Sequence, residues 1–313
     1  MATLAAAPGA LIDPRALITI RSLELRARAV VEGFWSGLHR SPYHGFSVEF
    51  TEYRQYTPGD DPRRVDWRVF ARSDRFYLRK YEDETNLRVH VLADRSRSME
   101  YGSAGITKAA YAATLAATLA YFLHQQGDAV GLTTFDEQVR DHLPPRHRAG
   151  HLRQILHTLE RPATGEATDL SAPFQHLSRL TPKRGLVLVL SDFLAPLERL
   201  GRDLLSLTAA GHEVAAFRVL DPAEPSLGLG GPAMLEDVES RRTLYIDPAQ
   251  AREAYGRRFG QHREELRAVT ARLGVMLHEV RTDEPLELAL FSFLQARARR
   301  GRLIRRAPAR GSG

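Results

Sequence analysis

The sequence predicts an α/β protein in which helices cover both faces of a mostly parallel β-sheet. From about residue 87 onward, short apolar and β-branched runs alternate with longer segments of helical spacing. This order is typical of parallel sheets, because each crossover helix packs back onto a face of the sheet. The segment 185–191 supports the same fold class, since its almost continuous apolar run is expected for a strand buried on both faces.

Two different patterns precede this region. Residues 16–38 have the apolar spacing of a helix, and Pro14 lies near its expected start. From Tyr43 to Tyr81, aromatic residues are interleaved with charged ones, and the turn-forming segment 57–62 interrupts them. This pattern favours short antiparallel strands around an irregular loop.

The elements of the α/β region follow in order from periodicity and from turn residues. Gly127 and Gly211 are suited to the left-handed position that ends a helix. We predict strands at 87–93, 129–135, 139–143, 185–191, 213–220, 243–246 and 275–280. We predict helices at 106–126, 148–160, 170–180, 196–210, 248–273 and 285–299.

Composition points to a globular protein without disulfides. The 313-residue chain is 43% hydrophobic and 26% charged and has no cysteine, so any bound metal must use oxygen or histidine ligands. Residues 1–20 lack the basic start of a signal peptide, and the longest uncharged stretch, 109–126, is too short in its apolar part to span a bilayer. We therefore expect a cytoplasmic protein without a membrane segment.

The net charge of +6 comes from the end of the chain. Residues 297–313 contain seven arginines and no acidic residue, so residues 1–296 carry a net charge of −1. We expect this tail to be disordered. An arginine-rich segment can also bind nucleic acid without sequence specificity, which is the alternative interpretation.

Oxygen-bearing side chains follow two of the predicted strands. Asp94, Ser96 and Ser98 form a D-x-S-x-S loop directly after the first strand of the α/β region. Asp192 directly follows the buried strand at 185–191. In an open α/β sheet, ligands collect beyond the carboxyl ends of the strands, where the strand order reverses. We therefore expect these side chains to converge on one crevice.

A third loop, at 165–170, adds the hydroxyl group of Thr168 ahead of a helical segment. Hydroxyl and carboxylate oxygens suit a small hard cation such as Mg²⁺. In the alternative interpretation, Asp94 and Ser98 only cap the helix that follows them.

Together these residues resemble the metal-ion-dependent adhesion site (MIDAS) of von Willebrand factor A domains. The resemblance implies one divalent cation, Mg²⁺ with Mn²⁺ or Ca²⁺ as alternatives, bound partly through water. The implied metal ligands are Asp94, Ser96, Ser98, Thr168 and Asp192. One coordination position is expected to remain open for an acidic residue of a partner protein.

Two arginines depart from this pattern. Arg95 and Arg97 occupy the variable positions of the D-x-S-x-S loop, where small or polar residues are usual. Turned inward, their positive charges would weaken metal binding. Turned outward, they would attract an acidic surface, so both are candidates for partner binding.

A second motif, within residues 45–72, has the core pattern E-x-R-x-Y-x-P-G-D-D-x-R-x-x-D-W-R. It looks like the signature of the bacterial domain-of-unknown-function 58 family, which joins this element to a von Willebrand A-like domain. The signature residues are Arg54, Tyr56, Pro58, Gly59, Asp60, Asp61, Arg63, Asp66, Trp67, Arg68 and Arg72. We expect these arginine–aspartate pairs and the tryptophan to brace the β element, with direct partner binding as the alternative.

The resemblance implies a doubly wound, von Willebrand A-like fold preceded by an N-terminal helix and a small β element. We predict three parts: residues 1–84 with that helix and β element, residues 85–296 with the A-like domain, and residues 297–313 as the tail.

The family resemblance also implies a function. Members commonly accompany MoxR-type AAA+ ATPases in assembly, chaperoning or maturation of other proteins, so we expect a non-enzymatic interaction protein. The sequence contains no P-loop, His-Glu-x-x-His or G-x-S-x-G motif. The alternatives are a nucleic-acid-associated protein that acts through its tail and, more remotely, a metal-dependent hydrolase.

Overall fold

The computed structural model describes residues 11–38, 52–55, 77–80, 87–162, 165, 169–180, 184–228, 231, 233–236 and 243–306. The chain forms two compact units, one of residues 38–86 and one that combines residues 1–37 with residues 87–313.

The smaller unit contains an antiparallel pair of short strands, β1 (Glu52–Gln55) and β2 (Tyr77–Lys80). The predicted small β element is therefore confirmed. Arg54 lies in β1, opposite Leu78 of β2. The other signature residues lie outside the described residues: Tyr56, Pro58, Gly59, Asp60, Asp61, Arg63, Asp66, Trp67, Arg68 and Arg72.

The larger unit is built around a six-stranded sheet. The described strands of the larger unit, including two that lie outside this sheet, are in chain order β3 (Arg88–Asp94), β4 (Ala129–Phe135), β5 (Val139–Arg146), β6 (Leu186–Ser191), β7 (Glu213–Leu220), β8 (Ala233–Glu236), β9 (Thr243–Ile246) and β10 (Met276–Arg281). Strands β8 and β9 form a separate antiparallel pair. The sheet order is β10-β7-β6-β3-β4-β5, and every neighbouring pair is parallel except β4 and β5. The predicted mostly parallel sheet is confirmed.

Helices lie on both faces of this sheet, as predicted. They are α1 (Pro14–Ile18), α2 (Leu23–Leu38), α3 (Lys108–Gln125), α4 (His151–Glu160), α5 (Ser171–Leu180), α6 (Leu197–Ala209), α7 (Pro248–Arg272) and α8 (Leu286–Arg306). Short 3-10 helices occupy Arg97–Glu100 and Glu224–Ser226.

Helices α5, α6 and α7 cover one face. Side chains from these helices form a single buried cluster with the strands, because alternate strand residues point to the same side of a sheet. The cluster includes Leu92, Phe174, Val189, Leu204 and Leu266.

Helix α3 covers the opposite face and packs against α4 and α8. Phe122 of α3 also meets α2, where the Trp35 ring stacks on it at 5.9 Å between ring centroids. The ends of α3 follow their local sequence. Thr107 caps its start by accepting a hydrogen bond from the Ala110 amide at 3.1 Å, and Gly127 adopts the expected left-handed conformation, with φ of 90°, after its end.

The division of the chain differs from the predicted one in two places. The N-terminal helices belong to the larger unit, not to the unit of the β element. Helix α8 continues through Arg306, past the predicted start of a disordered tail at residue 297. Two of its later side chains contact residues in or next to the sheet. Arg297 contacts Glu213 at 3.4 Å, and Arg300 donates to the Gly274 carbonyl oxygen at 2.7 Å.

None of the helices in the described ranges is both long and apolar enough to cross a lipid bilayer.

The packing of α6 generates a stability prediction. Leu204 is 0% exposed, and its neighbour Leu205 is 52% exposed. Leu204→Ala is expected to lower the free energy of unfolding by about 2–5 kcal/mol, because it leaves a cavity in the core. Leu205→Ala, on the same helix, is expected to change it by less than about 0.5 kcal/mol. Urea unfolding of both variants measures the difference, and equal losses would contradict the assigned orientation of α6.

Two buried histidines generate a pH prediction. Burial lowers the pKa of His90 and of His278 from 6.5 to about 4. Between these values the unfolded chain binds protons that the folded chain excludes, so stability falls as the pH drops from 6.5 towards 4. At about 1.4 kcal/mol per pKa unit, the loss is roughly 3 kcal/mol per histidine. His278→Gln should reduce the pH dependence of urea unfolding between pH 6.5 and 4, and an unchanged dependence would contradict the prediction.

Candidate functional site

Two buried carboxylates lie at the carboxyl ends of adjacent parallel strands. Ala93 of β3 pairs with Leu190 of β6, so Asp94 and Asp192 leave the sheet at the same edge. Each is only 1% exposed. Strand β3 has β4 on one side and β6 on the other, so the strand order reverses at this point. This is the position where open α/β sheets bind ligands.

The D-x-S-x-S loop folds around Asp94. The Asp94 Oδ1 atom accepts a hydrogen bond from the Ser96 amide at 2.9 Å, and the Asp94 Oδ2 atom accepts one from the Ser191 hydroxyl at 2.5 Å. The hydroxyl oxygens of Ser96 and Ser98 are 3.2 Å apart. The side chain that caps α3 is Thr107, so the start of that helix does not account for the oxygens gathered in the loop.

Lys108 adds a buried positive charge that sequence reasoning missed. Its Nζ donates to Asp192 Oδ2 at 2.9 Å and to Glu224 Oε1 at 2.6 Å. Burial disfavours the ammonium, but Asp192 and Glu224 outweigh this effect and raise the pKa of Lys108. The only signal in the sequence is a lysine at the start of an otherwise apolar helix.

The buried carboxylate of Asp94 has no cationic side chain in contact with it among the described residues. Asp192, by contrast, is paired with Lys108 and lies beside the buried guanidinium of Arg218 in β7. Burial, together with the negative charge of Asp192, raises the pKa of Asp94 to about 7. A bound cation would offset the charge of Asp94, and the hydroxyl and carboxylate oxygens present are the donors that a divalent cation prefers.

A fully buried arginine donates a hydrogen bond to the backbone of Asp192. Arg218 of β7 is 0% exposed, and its Nε donates to the Asp192 carbonyl oxygen at 3.4 Å. Its Nη1 contacts Glu279 at 3.5 Å, and its guanidinium lies 5.2 Å from the centre of the Phe259 ring. Sequence reasoning did not identify Arg218 because its partners come from three other elements.

Thr168 lies outside the described residues. On either side of it, Gly165 and Asp169 contact Asp136, the buried residue that follows β4. The Asp169 amide donates to the Asp136 carbonyl oxygen at 2.8 Å. A Cβ added at Gly165 would lie 2.3 Å from the Asp136 Cβ, so only glycine fits there. The ends of this loop are therefore held beside β4, the neighbour of β3.

The two arginines of the D-x-S-x-S loop do not pair with the site carboxylates. Arg95 extends to the end of α4, where its Nη1 donates to the Leu159 carbonyl oxygen at 2.9 Å. Arg97 is partly exposed in the short 3-10 helix. Neither guanidinium forms an ion pair with Asp94 or Asp192 in the part of the chain that the structure describes.

The family follows from comparison with known proteins. Residues 52–265 match the model of the family described as "Protein of unknown function DUF58". The chain belongs to this family.

Relatives of this DUF58 protein include "Uncharacterized protein Rv1480" of Mycobacterium tuberculosis and "Uncharacterized protein Mb1516" of Mycobacterium bovis. Each is 32% identical over 301 residues, which cover 94% of this chain and 93% of the relative.

Two solved structures are similar in fold. One is described as the conserved hypothetical protein BatB from Bacteroides thetaiotaomicron, at 14% identity and a TM-score of 0.46. The match covers 68% of this chain and 99% of the BatB chain. The other is the SpRpn10 VWA domain, at 13% identity and a TM-score of 0.39; it covers 64% of this chain and 92% of its own.

The buried lysine of this DUF58 protein generates a prediction about coupling. Lys108→Met leaves Asp192 and Glu224 buried without their counter-charge and is expected to cost about 3–5 kcal/mol of stability. Adding Glu224→Gln removes one of those charges, so the double variant should lose less than the sum of the single losses. Urea unfolding in the presence of EDTA measures the cycle. Additive losses would show that Lys108 and Glu224 do not stabilise each other.

Proposed function

We propose that this DUF58 protein is a non-enzymatic interaction protein that binds one divalent cation at the ends of β3 and β6. Mg²⁺ is the favoured ion, with Mn²⁺ and Ca²⁺ as alternatives. The observation that carries the proposal is the buried carboxylate of Asp94, which has no cationic side chain in contact among the described residues and lies near the carboxylate of Asp192. Unpaired buried charge is costly, and a bound cation would remove that cost.

In this proposal, Asp94, Ser96, Ser98 and Asp192 hold the ion, with Thr168 completing the set from its loop. Ser191 orients Asp94 through its hydrogen bond. Lys108 keeps Asp192 in place through its hydrogen bond to Oδ2 and supplies one positive charge. The ion itself supplies the positive charge that attracts an acidic side chain of a partner protein.

The environment of Lys108 argues against Lys108 as a general base at this site. A general base must be able to accept a proton near neutral pH. Lys108 is held between two carboxylates that raise its pKa, so it remains protonated. The loop hydroxyls of Ser96 and Ser98 hydrogen bond to each other, and the hydroxyl of Ser191 in β6 donates to Asp94. Asp94, whose pKa of about 7 would suit a base, is in this proposal a ligand of the ion, so the site is assigned to binding and not to metal-dependent hydrolysis.

A MoxR-type AAA+ ATPase is the proposed partner, and the assembly, chaperoning or maturation of other proteins in the cytoplasm is the proposed process. Membership of the DUF58 family supports this choice, since the resemblance found in the sequence joined the family to such ATPases. Binding of nucleic acid through the C-terminal arginines is the weaker alternative, because Arg297 and Arg300 already contact the protein's own Glu213 and Gly274.

Metal binding is tested by thermal unfolding. A ligand at a hundredfold excess over its dissociation constant stabilises the folded state by about 2.7 kcal/mol. The wild-type protein should therefore melt at a higher temperature in millimolar Mg²⁺ or Mn²⁺ than in EDTA, and Asp94→Asn should abolish the difference. Asp203→Asn, which alters a carboxylate on α6, should retain it. An unchanged melting temperature of the wild-type protein in saturating Mn²⁺ would contradict the proposal.

Partner binding is tested by calorimetry with a purified MoxR-type ATPase from the same organism. Affinity should fall at least about tenfold when EDTA replaces Mg²⁺, or when Asp94→Asn replaces the wild-type protein. Equal affinity in both conditions would refute a metal bridge, even for a protein that binds the ion.

A further inference from the structure

A cavity of about 680 Å³ adjoins the D-x-S-x-S loop. It lies between the start of α2, the start of α3 and the end of α4. Its charged lining consists of Arg21, Arg26, Arg95, Arg161, Glu100 and Glu160. Four arginines against two glutamates leave a net charge of +2 when all are ionised. We refer to it as the arginine cavity.

Two of these guanidiniums are partly buried and held by carbonyl oxygens. Arg95 donates to the Leu159 oxygen at 2.9 Å, and Arg26 donates to the Ile18 oxygen at 2.9 Å and to the Ile20 oxygen. Burial lowers the pKa of both side chains. In the ranges that the structure describes, neither arginine hydrogen bonds to a carboxylate. Their charges are thus fixed in position but not neutralised by direct contact.

The other two arginines lie at the rim. Arg21 is exposed and has no hydrogen-bond or ion-pair partner among the described residues. Arg161 is exposed and contacts Asp141, outside the cavity lining, at 2.9 Å. Incomplete neutralisation of a partly buried charge costs free energy that an incoming anion can recover. The arrangement therefore favours an anionic ligand with several negative groups.

We propose that the arginine cavity binds an acidic peptide segment of a partner protein, next to the carboxylate that the partner places on the cation. This rests on the proposed function and extends its contact surface. Arg95 links the two sites, because it stands between Asp94 and Ser96 in the chain while its guanidinium lines the cavity. The volume lies within the range of about 300–1,000 Å³ typical of ligand pockets.

A peptide fits this lining better than a nucleic acid does. Single-stranded nucleic acids are bound through bases stacked on aromatic side chains, as well as through phosphates. The cavity lining contains no aromatic residue among the described positions, and Glu100 and Glu160 would repel a continuous row of phosphates. A peptide can instead place its carboxylates singly on the arginines and direct its amides to the glutamates.

The test measures the fluorescence anisotropy of a labelled hexa-aspartate peptide with the full-length protein at low salt. In EDTA, the wild-type protein should bind the peptide, and Arg21→Gln combined with Arg95→Gln should weaken binding about tenfold or more. Arg21→Gln alone should also weaken peptide binding. This substitution changes an exposed side chain that does not support the fold. The matched control is Arg153→Gln, an exposed arginine on α4 outside the cavity, which should change affinity less than about twofold.

The outcomes separate the two proposals. An equal loss for Arg153→Gln and Arg21→Gln would mean general charge attraction and would overturn the cavity assignment. Tighter binding of a single-stranded oligonucleotide of equal charge, with the same dependence on Arg21, would overturn the choice of a peptide. Addition of Mg²⁺ should tighten peptide binding to the wild-type protein and not to Asp94→Asn. If Mg²⁺ has no effect while the cavity variants still weaken binding, the metal proposal fails and the cavity stands.

Discussion

The parallel pairing of β3 with β6 positions the two carboxylates of the candidate site. It brings Asp94 and Ser191 within hydrogen-bond distance although they are 97 residues apart in the chain. It also directs Asp192 to the same edge, where the strand order reverses. Because both strands are almost completely buried, a one-residue shift in their register would move each side chain to the opposite helix layer, so the packing of the core and the geometry of the site depend on the same pairing.

Lys108 connects this edge of the sheet to neighbouring segments through ion pairs. Its ammonium joins the start of α3 to the end of β6 and to the 3-10 helix after β7. Asp221 makes a parallel connection, since it accepts hydrogen bonds from the amide and hydroxyl groups of Ser103. These contacts hold the edge of the sheet in one arrangement. The loops joined by these contacts are already ordered, which would lower the entropic cost of the binding proposed above.

The D-x-S-x-S loop separates opposite charges on its two sides. Its carboxylate and hydroxyl oxygens face the β3–β6 edge, whereas Arg95 reaches the end of α4. An arginine turned towards Asp94 would compete with a cation; turned away, it lines a positively charged cavity beside the proposed metal site. In the proposed function, two surfaces for one acidic partner would arise from consecutive residues, and their proximity would increase specificity as well as the rate of encounter.

Local sequence determined the order and type of the elements. The apolar runs predicted the strands, and the glycines predicted the ends of α3 and α6. The positions of Asp94 and Asp192 after strands indicated the sheet edge where they meet. Each of these predictions depends on which residues of a single element are buried, and the periodicity of the sequence shows that directly. Only the tertiary structure decided which distant groups pair. Lys108 and Glu224, 116 residues apart, carry no local signal of their contact, and the direction of Arg95 depends on α4 lying beside its loop. The extension of α8 beyond residue 297 likewise depends on Glu213 and Gly274, because they supply the partners that hold its arginines.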